Sequence, residues 1–366
     1  MKKNIRILGF LILFLILFSC SDSTETAITP AVEPPAALDS FIRAADISFL
    51  PEIEIAGTIL YNSNNHAEGL ITTLKNAGCN TLRIRLWKNP ANGSSGMAEV
   101  KALSQRVKQA GMKVWLTVHY SDTWADPAVQ TTPAEWKNVS FTDLKTAVAN
   151  YTSTILTEIN PDIIQIGNEI NSGLLWPQGN LINQEVQSIS LLATASATIR
   201  AKAPNTKIMI HYAGVKASDT NWFFNKIKSV DYDYIGLSYY PIWHGKDLEV
   251  VKTTINTLGK TFNKKVIIAE TAYPFTLGYN DWTNNIVGLD SQLVSGYPAS
   301  PDGQKNFVLA IKTIVEESEY GLGFAYWGGE WISFKGIQAA NGSAFENQAF
   351  YDFSNKVLPV LQVFNK

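Results

Sequence analysis

Cysteine is nearly absent from this chain: Cys20 and Cys79 are the only two in 366 residues. No disulfide framework can hold the fold, so its stability must come from packing. Charge is scarce and balanced, with 17% charged residues, 30 Lys+Arg against 32 Asp+Glu and a formal net charge of −2. That balance excludes a basic nucleic-acid binder, which must neutralise phosphates in bulk. No internal repeat and no second compositional domain can be found. What the chain does have is apolar and aromatic mass. Hydrophobic residues make up 46%, enough to bury a core and exclude intrinsic disorder, and aromatics 11%, among them 10 Trp, 14 Tyr and 17 Phe. A globular core does not require so many indoles, whereas an extended ligand with apolar ring faces, such as a sugar chain, does.

The N-terminus reads as an export signal. Lys2, Lys3 and Arg6 precede an apolar run over residues 7–18, interrupted only by Gly9. A membrane-spanning helix needs about 20 apolar residues, so the run suits a cleaved signal better than a permanent anchor. It ends in Ser19-Cys20, similar to a bacterial lipoprotein processing site whose Cys becomes the lipidated first residue. Residues 21–37 are Ser, Thr, Pro and Ala with almost no aromatic character, a tether that cannot bury a core. Asp22 and Glu25 close behind the Cys resemble a surface-export signal. The expected organisation is a signal peptide over 1–19, a linker over 20–39 and a single domain over 40–366.

From residue 40 onward, short β-like runs alternate with segments of helical period. The runs cover 41–48, 81–87, 113–119, 162–167, 207–211, 234–238, 265–270 and 323–327, and helices are expected over 68–77, 97–109, 141–158, 183–201, 248–261 and 302–317. Eight strands alternating with helices imply parallel pairing and a closed (β/α)₈ barrel, an α/β fold of the TIM-barrel class. In such barrels chemistry sits at the C-terminal ends of the strands. There this sequence places Asp46 after strand one, Arg83, Arg85 and Trp87 at strand two, and His119, Asp122, Trp124 and Asp126 after strand three. Asn168 and Glu169 close strand four, Tyr239, Tyr240, Trp243 and His244 follow strand six, Glu270 ends strand seven and Trp327 ends strand eight.

Glu169 and Glu270 stand apart, because each closes a buried apolar strand, and such strands do not end in Glu by preference. Two carboxyls facing one another at a barrel rim suit glycoside hydrolysis, in which one protonates the leaving oxygen and the other attacks or stabilises the oxocarbenium-like centre. The competing reading for each is a barrel-closing salt bridge to Arg83 or Arg85.

Six stretches together resemble one family. They are Ala45-Asp46-Ile47-Ser48, Arg83-Ile84-Arg85-Leu86-Trp87, His119-Tyr120-Ser121-Asp122-Thr123-Trp124-Ala125-Asp126-Pro127, Gln165-Ile166-Gly167-Asn168-Glu169-Ile170 with Gly173-Leu174-Leu175-Trp176-Pro177, Leu237-Ser238-Tyr239-Tyr240-Pro241 and Glu270-Thr271-Ala272-Tyr273-Pro274. The pattern is similar to the endo-β-1,4-galactanases of glycoside hydrolase family 53, from about residue 40 to the C-terminus, and the strand-three stretch is its most specific element. The resemblance implies a retaining enzyme with Glu169 as acid/base and Glu270 as nucleophile, acting inside β-1,4-linked galactan. Arg85 and His119 are then suited to keep the nucleophile charged, and Asn168 to bond the sugar 2-hydroxyl. Trp87, Trp124, Trp176, Trp243 and Trp327 are candidate sugar platforms, and Asp46, Tyr239 and His244 complete the expected substrate-binding set. Asp122 and Asp126 are expected to bond hydroxyls or order their own loop.

The resemblance also implies a structural calcium in the long loop after strand seven. Asp281, Thr283 and Asn285 fall at alternate places there, although Tyr279 replaces an acidic residue two places earlier, and Ser343 and Glu346 match the segment that would complete the site. The expected partner is a galactan chain, with no nucleic acid, membrane contact only through the lipid, and a monomeric enzyme. Two other readings remain open: another endo-β-glycanase of the same clan, a mannanase or xylanase, and a surface lipoprotein that binds glycan without cleaving it. The strand-three stretch argues against the first, and the presence of both Glu169 and Glu270 against the second.

Overall fold

The computed structural model describes residues 41–366. The expected signal peptide, the Cys20 lipidation site and the linker lie outside these residues. Eight parallel strands close a barrel in sequence order: β1 (Ile42–Asp46), β2 (Thr81–Leu86), β3 (Lys113–Val118), β4 (Ile163–Ile166), β5 (Lys207–Ala213), β6 (Tyr234–Ser238), β7 (Lys265–Thr271) and β8 (Gly321–Tyr326). Each coincides with one of the eight apolar runs to within a few residues. The strands are buried on both faces, which is why they read as continuous apolar runs rather than as an alternation. Inward side chains, among them Ile42, Trp115, Ile163, Met209 and Ile267, fill the barrel, while a larger core lies between strands and helices.

Around the barrel lie α1 (Leu50–Ile55), α2 (Leu70–Asn76), α3 (Met97–Gln109), α4 (Phe141–Glu158), α5 (Glu185–Lys202), α6 (Ala217–Lys226), α7 (Pro241–His244), α8 (Leu248–Phe262) and α9 (Pro301–Glu317). The starts of α4 and α9 follow from capping chemistry: the Ser140 hydroxyl accepts from Asp143 N and the Ser300 hydroxyl from Gly303 N, with Pro301 opening α9. Helix α6 was not among the expected helices. Its Asp, Thr and Asn residues hide the period, yet Thr220, Phe223, Phe224 and Ile227 fall on one buried face. None of the described helices is long and apolar enough to cross a membrane.

One irregularity in the sheet bears on function. Pairing with β6 shifts between Leu237 and Ser238, so that Ile268 faces Leu237 and Glu270 faces Ser238. Pairing with β8 shifts over the same stretch of β7. Strand β7 therefore carries one extra residue just before Glu270, a bulge that re-aims the following side chain at the barrel mouth.

Candidate active site

At the end of β4 the backbone turns sharply into the mouth. Gly167 has φ +77°, and a Cβ there would sit 2.4 Å from Ile170 Cγ2, so only glycine fits. Glu169 itself has φ +48°, a left-handed conformation costly for a residue with a Cβ. Strain of this kind persists where the surroundings over-determine it, as at a site that must aim one side chain.

The two rim carboxylates have different company. Glu270 accepts from Arg83 Nη2 at 2.6 Å and from the Tyr240 hydroxyl at 3.0 Å. Arg83 is itself held by Asp46 at 2.7 Å and donates to Asn168 Oδ1 at 2.9 Å. Glu169 has no such cation bonded to it; its Oε1 accepts from the Ser238 hydroxyl at 2.5 Å. Oxygens of Glu169 and Glu270, together with a ring nitrogen of His211, lie within 4.8 Å of one another. Burial raises the pKa of Glu169 to about 8, with the Glu270 charge adding to it. Burial also raises Glu270, against the opposing pull of the Arg83 cation and the Tyr240 hydroxyl. Because only Glu270 has a guanidinium bonded to it, the first proton leaves Glu270 and the pair holds a single negative charge there.

These groups open into a cleft lined also by Trp124, Asp126, Trp243, Trp327 and Phe345. Trp124 and Trp243 are 37% and 55% exposed, as sugar platforms must be. Arg85 and His119 reach the cleft but not the nucleophile, and this corrects the expected roles. The Arg85 Nε donates to Ser95, and its guanidinium is enclosed by the rings of Phe49, Trp87 and Trp124 at 4.6, 4.4 and 4.1 Å. His119 accepts from Ala125 N at 3.1 Å, and burial holds its pKa well below the usual range, so it is neutral and orders the loop after β3.

Other members of the expected substrate set sit behind the cleft. Asp46 is buried and spends its oxygens on Arg83 and Ser48. Tyr239 is fully buried and donates to Gly245 O at 2.8 Å, because side chains alternate as the chain leaves β6 and Ser238 and Tyr240 take the inward places. His244 accepts from Tyr240 N at 3.0 Å and buttresses that tyrosine. Trp87 packs edge-on against Trp124. Trp176 donates to Ser172 O in the loop after β4, away from the cleft lining. Asp122 accepts from Asn89 N and Ala134 N, and Asp126 from Ala128 N and Val129 N, so both order loops while Asp126 also faces the cleft. Asn168 lines the cleft with its amide bonded to Ala125 O.

The expected catalytic and substrate-binding set leaves out four groups at the centre, Arg83, Tyr240, Ser238 and His211, although Arg83 and Tyr240 stand among the strand-end residues and Arg83 is the competing salt-bridge partner for each Glu. The alternation that turns Tyr239 away was a usable signal for Tyr240. His211 closes the expected run over 207–211, so the strand-end rule applied to it as well, although the strand itself continues to Ala213.

Glu346, from the segment after β8, meets the loop after β7 that carries Asp281 and Asn285, and its carboxylate accepts from Asp281 N. Glu346 Oε1 accepts from Asn280 N at 2.6 Å, while its Oε2 and the Asn285 Oδ1 are buried without a partner. Asp281 raises the Glu346 carboxyl further above what burial alone does. The unpartnered Glu346 Oε2 and Asn285 Oδ1 are oxygens of the kind a hard cation takes, while the Asp281 oxygens already accept from Thr283 N and the Ser333 hydroxyl. The hydroxyls of Thr283 and Ser343 are instead committed to the backbone carbonyls of Ala339 and Trp331.

Comparison with known proteins is consistent with this geometry. An arabinogalactan endo-β-1,4-galactanase from Thermothelomyces thermophilus is 34% identical over 88% of this chain and 98% of its own. A probable arabinogalactan endo-β-1,4-galactanase A from Aspergillus fumigatus is 35% identical over 86% of this chain and 90% of its own. The solved family 53 catalytic domain from Ignisphaera aggregans superposes with a TM-score of 0.85 at 36% identity, covering 90% of this chain and 97% of that one. The profile of Glycosyl hydrolase family 53 matches residues 42–364, and the chain belongs to that family.

Proposed function

We propose that the protein is an endo-acting, retaining hydrolase of β-1,4-galactan, of the kind found in arabinogalactan and pectic side chains. The observation that carries this reading is the asymmetric carboxylate pair: oxygens within 4.8 Å, one carboxylate held by Arg83 and the other raised to about 8. Retaining pairs lie about 5–5.5 Å apart, whereas inverting pairs lie about 6.5–9.5 Å apart to admit a water. In the first step Glu270 attacks the anomeric carbon while protonated Glu169 gives its proton to the glycosidic oxygen, which leaves as a hydroxyl. In the second, the Glu169 carboxylate takes a proton from water as that water's oxygen attacks the same carbon and releases Glu270. Trp124, Trp243 and Trp327 supply apolar faces on which successive galactosyl rings stack.

Digestion of linear galactan tests the reading. Mid-sized oligosaccharides should appear first, and the newly formed reducing ends should be β-anomers by proton NMR. Sugars released only from chain ends, or α-anomers as first products, would overturn it.

Two further proposals rest on the sequence. Glu346, Asp281 and Asn285 would hold a calcium ion that ties the loops after β7 and β8 together and takes no part in the reaction. The orphaned Glu346 and Asn285 oxygens support this. The Ser19-Cys20 site supports an exported lipoprotein, a monomer at the outer membrane or cell surface that meets the bilayer only through its lipid. Cys20→Ala should release it from the membrane fraction with unchanged kinetics on galactan.

A further inference from the structure

Behind Glu169 runs a chain of buried hydrogen bonds whose direction can be deduced from its far end. The Trp115 indole inside the barrel can only donate, and it meets Gln165 Oε1 at 3.2 Å. The Gln165 amide is thereby oriented, and its Nε2 faces Gly167 O at 3.0 Å, which can only accept. The same Nε2 lies 3.0 Å from His211 Nδ1. Asn168 Oδ1 is also near that nitrogen, at 3.2 Å, but already accepts from Arg83 and lies 3.1 Å from Gln165 Nε2. A proton on Nδ1 would crowd a third donor onto one oxygen that has two lone pairs. Every group is satisfied when Nδ1 is bare and accepts from Gln165. His211 is neutral, because burial and the Arg83 cation hold its pKa well below the usual range. Its one ring proton therefore sits on Nε2, which is 2.9 Å from Ser238 Oγ. Ser238 accepts there, and its own hydrogen is left to donate to Glu169 Oε1.

We propose that His211 and Ser238 are positioning residues forming a one-way relay, from Trp115 through Gln165, that keeps Oε1 of Glu169 an acceptor and so confines the catalytic proton to Oε2. Oε2 has no protein partner among the described residues, while Glu169 lines the cleft, so it is the oxygen open to substrate. The inference rests on the acid/base assignment of Glu169. It adds that reversing the relay would put the proton on the oxygen that faces Ser238, where it cannot reach a glycosidic oxygen. The charged and titratable groups facing Glu169 are Glu270 from β7, Arg83 from β2, Asp126 after β3 and Tyr240 after β6. His211 in turn faces Arg83, His244 and His119. The Ser238 bond favours the charged carboxylate, and so draws the Glu169 pKa down against burial and Glu270.

The test compares kcat/KM, which reads the first chemical step, on galactan and on a dinitrophenyl β-galactobioside whose leaving group needs no proton. Ser238→Ala should lower kcat/KM on galactan about tenfold or more and on the aryl substrate less than about threefold, the margin expected of impaired acid catalysis. It should also move the alkaline limb upward, because the lost bond favoured the carboxylate. Ser238→Thr, which keeps the hydroxyl, should restore both. In ¹⁵N NMR of the wild type, His211 should appear as the neutral Nε2–H tautomer from pH 5 to 8. An equal loss on both substrates with no upward shift, or an Nδ1–H tautomer, would overturn the relay. If Glu169→Gln loses activity equally on both substrates, it is the acid/base assignment itself that fails.

Discussion

Glu169 and Glu270 are the same residue type, at the ends of two strands of one barrel, both facing one cleft, yet their surroundings differ in kind. Around Glu270 a cation is bonded: Arg83, from β2, is shared between Glu270 and Asp46, with the Tyr240 hydroxyl as a second donor to Glu270. Around Glu169, on the β4–β5–β6 side, the partners are neutral: Ser238, His211 and Gln165. A carboxylate bonded to a cation keeps its charge, and a buried one with no bonded cation, beside a fixed negative charge, keeps its proton. The division of labour between two identical side chains is thus written in their neighbours.

The most severe break of this comparison removes the charge on the ionic side. Glu270→Gln should lower turnover of galactan by about 10⁴-fold or more, while oligosaccharide binding measured by calorimetry persists. Glu169→Gln should fall by about 10²–10⁴-fold on galactan, the usual range for a lost general acid.

A subtler change alters how Arg83 is shared. Asp46→Asn leaves the whole cation to Glu270, and Asp46's charge is one of the causes that raise the Glu270 pKa. The acid limb of kcat/KM should move to lower pH and kcat should fall by about tenfold, since a more stabilised carboxylate is a weaker nucleophile. An acid limb that moves upward would show that Asp46 aids ionisation rather than opposing it.

Stability should report the neutral side. The folded pKa of Glu169 is raised from 4.5 to about 8, so the folded state holds a proton that the unfolded chain has released between those values. Stability from this group is full below pH 4.5 and is lost as pH rises towards 8. Glu169→Gln should therefore melt like the wild type at pH 4 and a few degrees above it at pH 8. A difference that shrinks with rising pH would contradict the raised pKa. The smallest effect lies far from both carboxylates. Exhaustive chelation should lower the melting temperature by a few degrees through loss of the ion at Asp281, Asn285 and Glu346, leaving activity at low temperature unchanged. An identical melting curve would remove the calcium proposal.

Much of the scaffold was legible beforehand because it depends on local periodicity. Eight buried apolar runs, each a few residues long and separated by helical stretches, suffice to imply a closed parallel barrel, and strand ends then become the rim. The missed helix α6 shows where that logic thins, since its polar residues mask a buried face that only packing against the barrel reveals. Within the site, the identities of the aromatics at the rim were readable, but their orientation was not. Trp243 stands exposed while Tyr239, four residues earlier, is wholly buried, a difference set by alternation and by the turn into α7.

The sequence by itself determined the barrel, the rim position of Glu169 and Glu270, and the aromatic richness that a sugar chain requires. Only the tertiary structure decided that Arg83 rather than Arg85 meets Glu270 and that His211 stands behind the acid/base. Strand period and strand ends are properties of neighbouring residues, which a linear reading can see. The partners of a carboxylate are chosen when the barrel closes, joining Arg83 to Glu270 across 187 positions and Ser238 to Glu169 across 69, and a bulge of one residue in β7 settles which side chains meet.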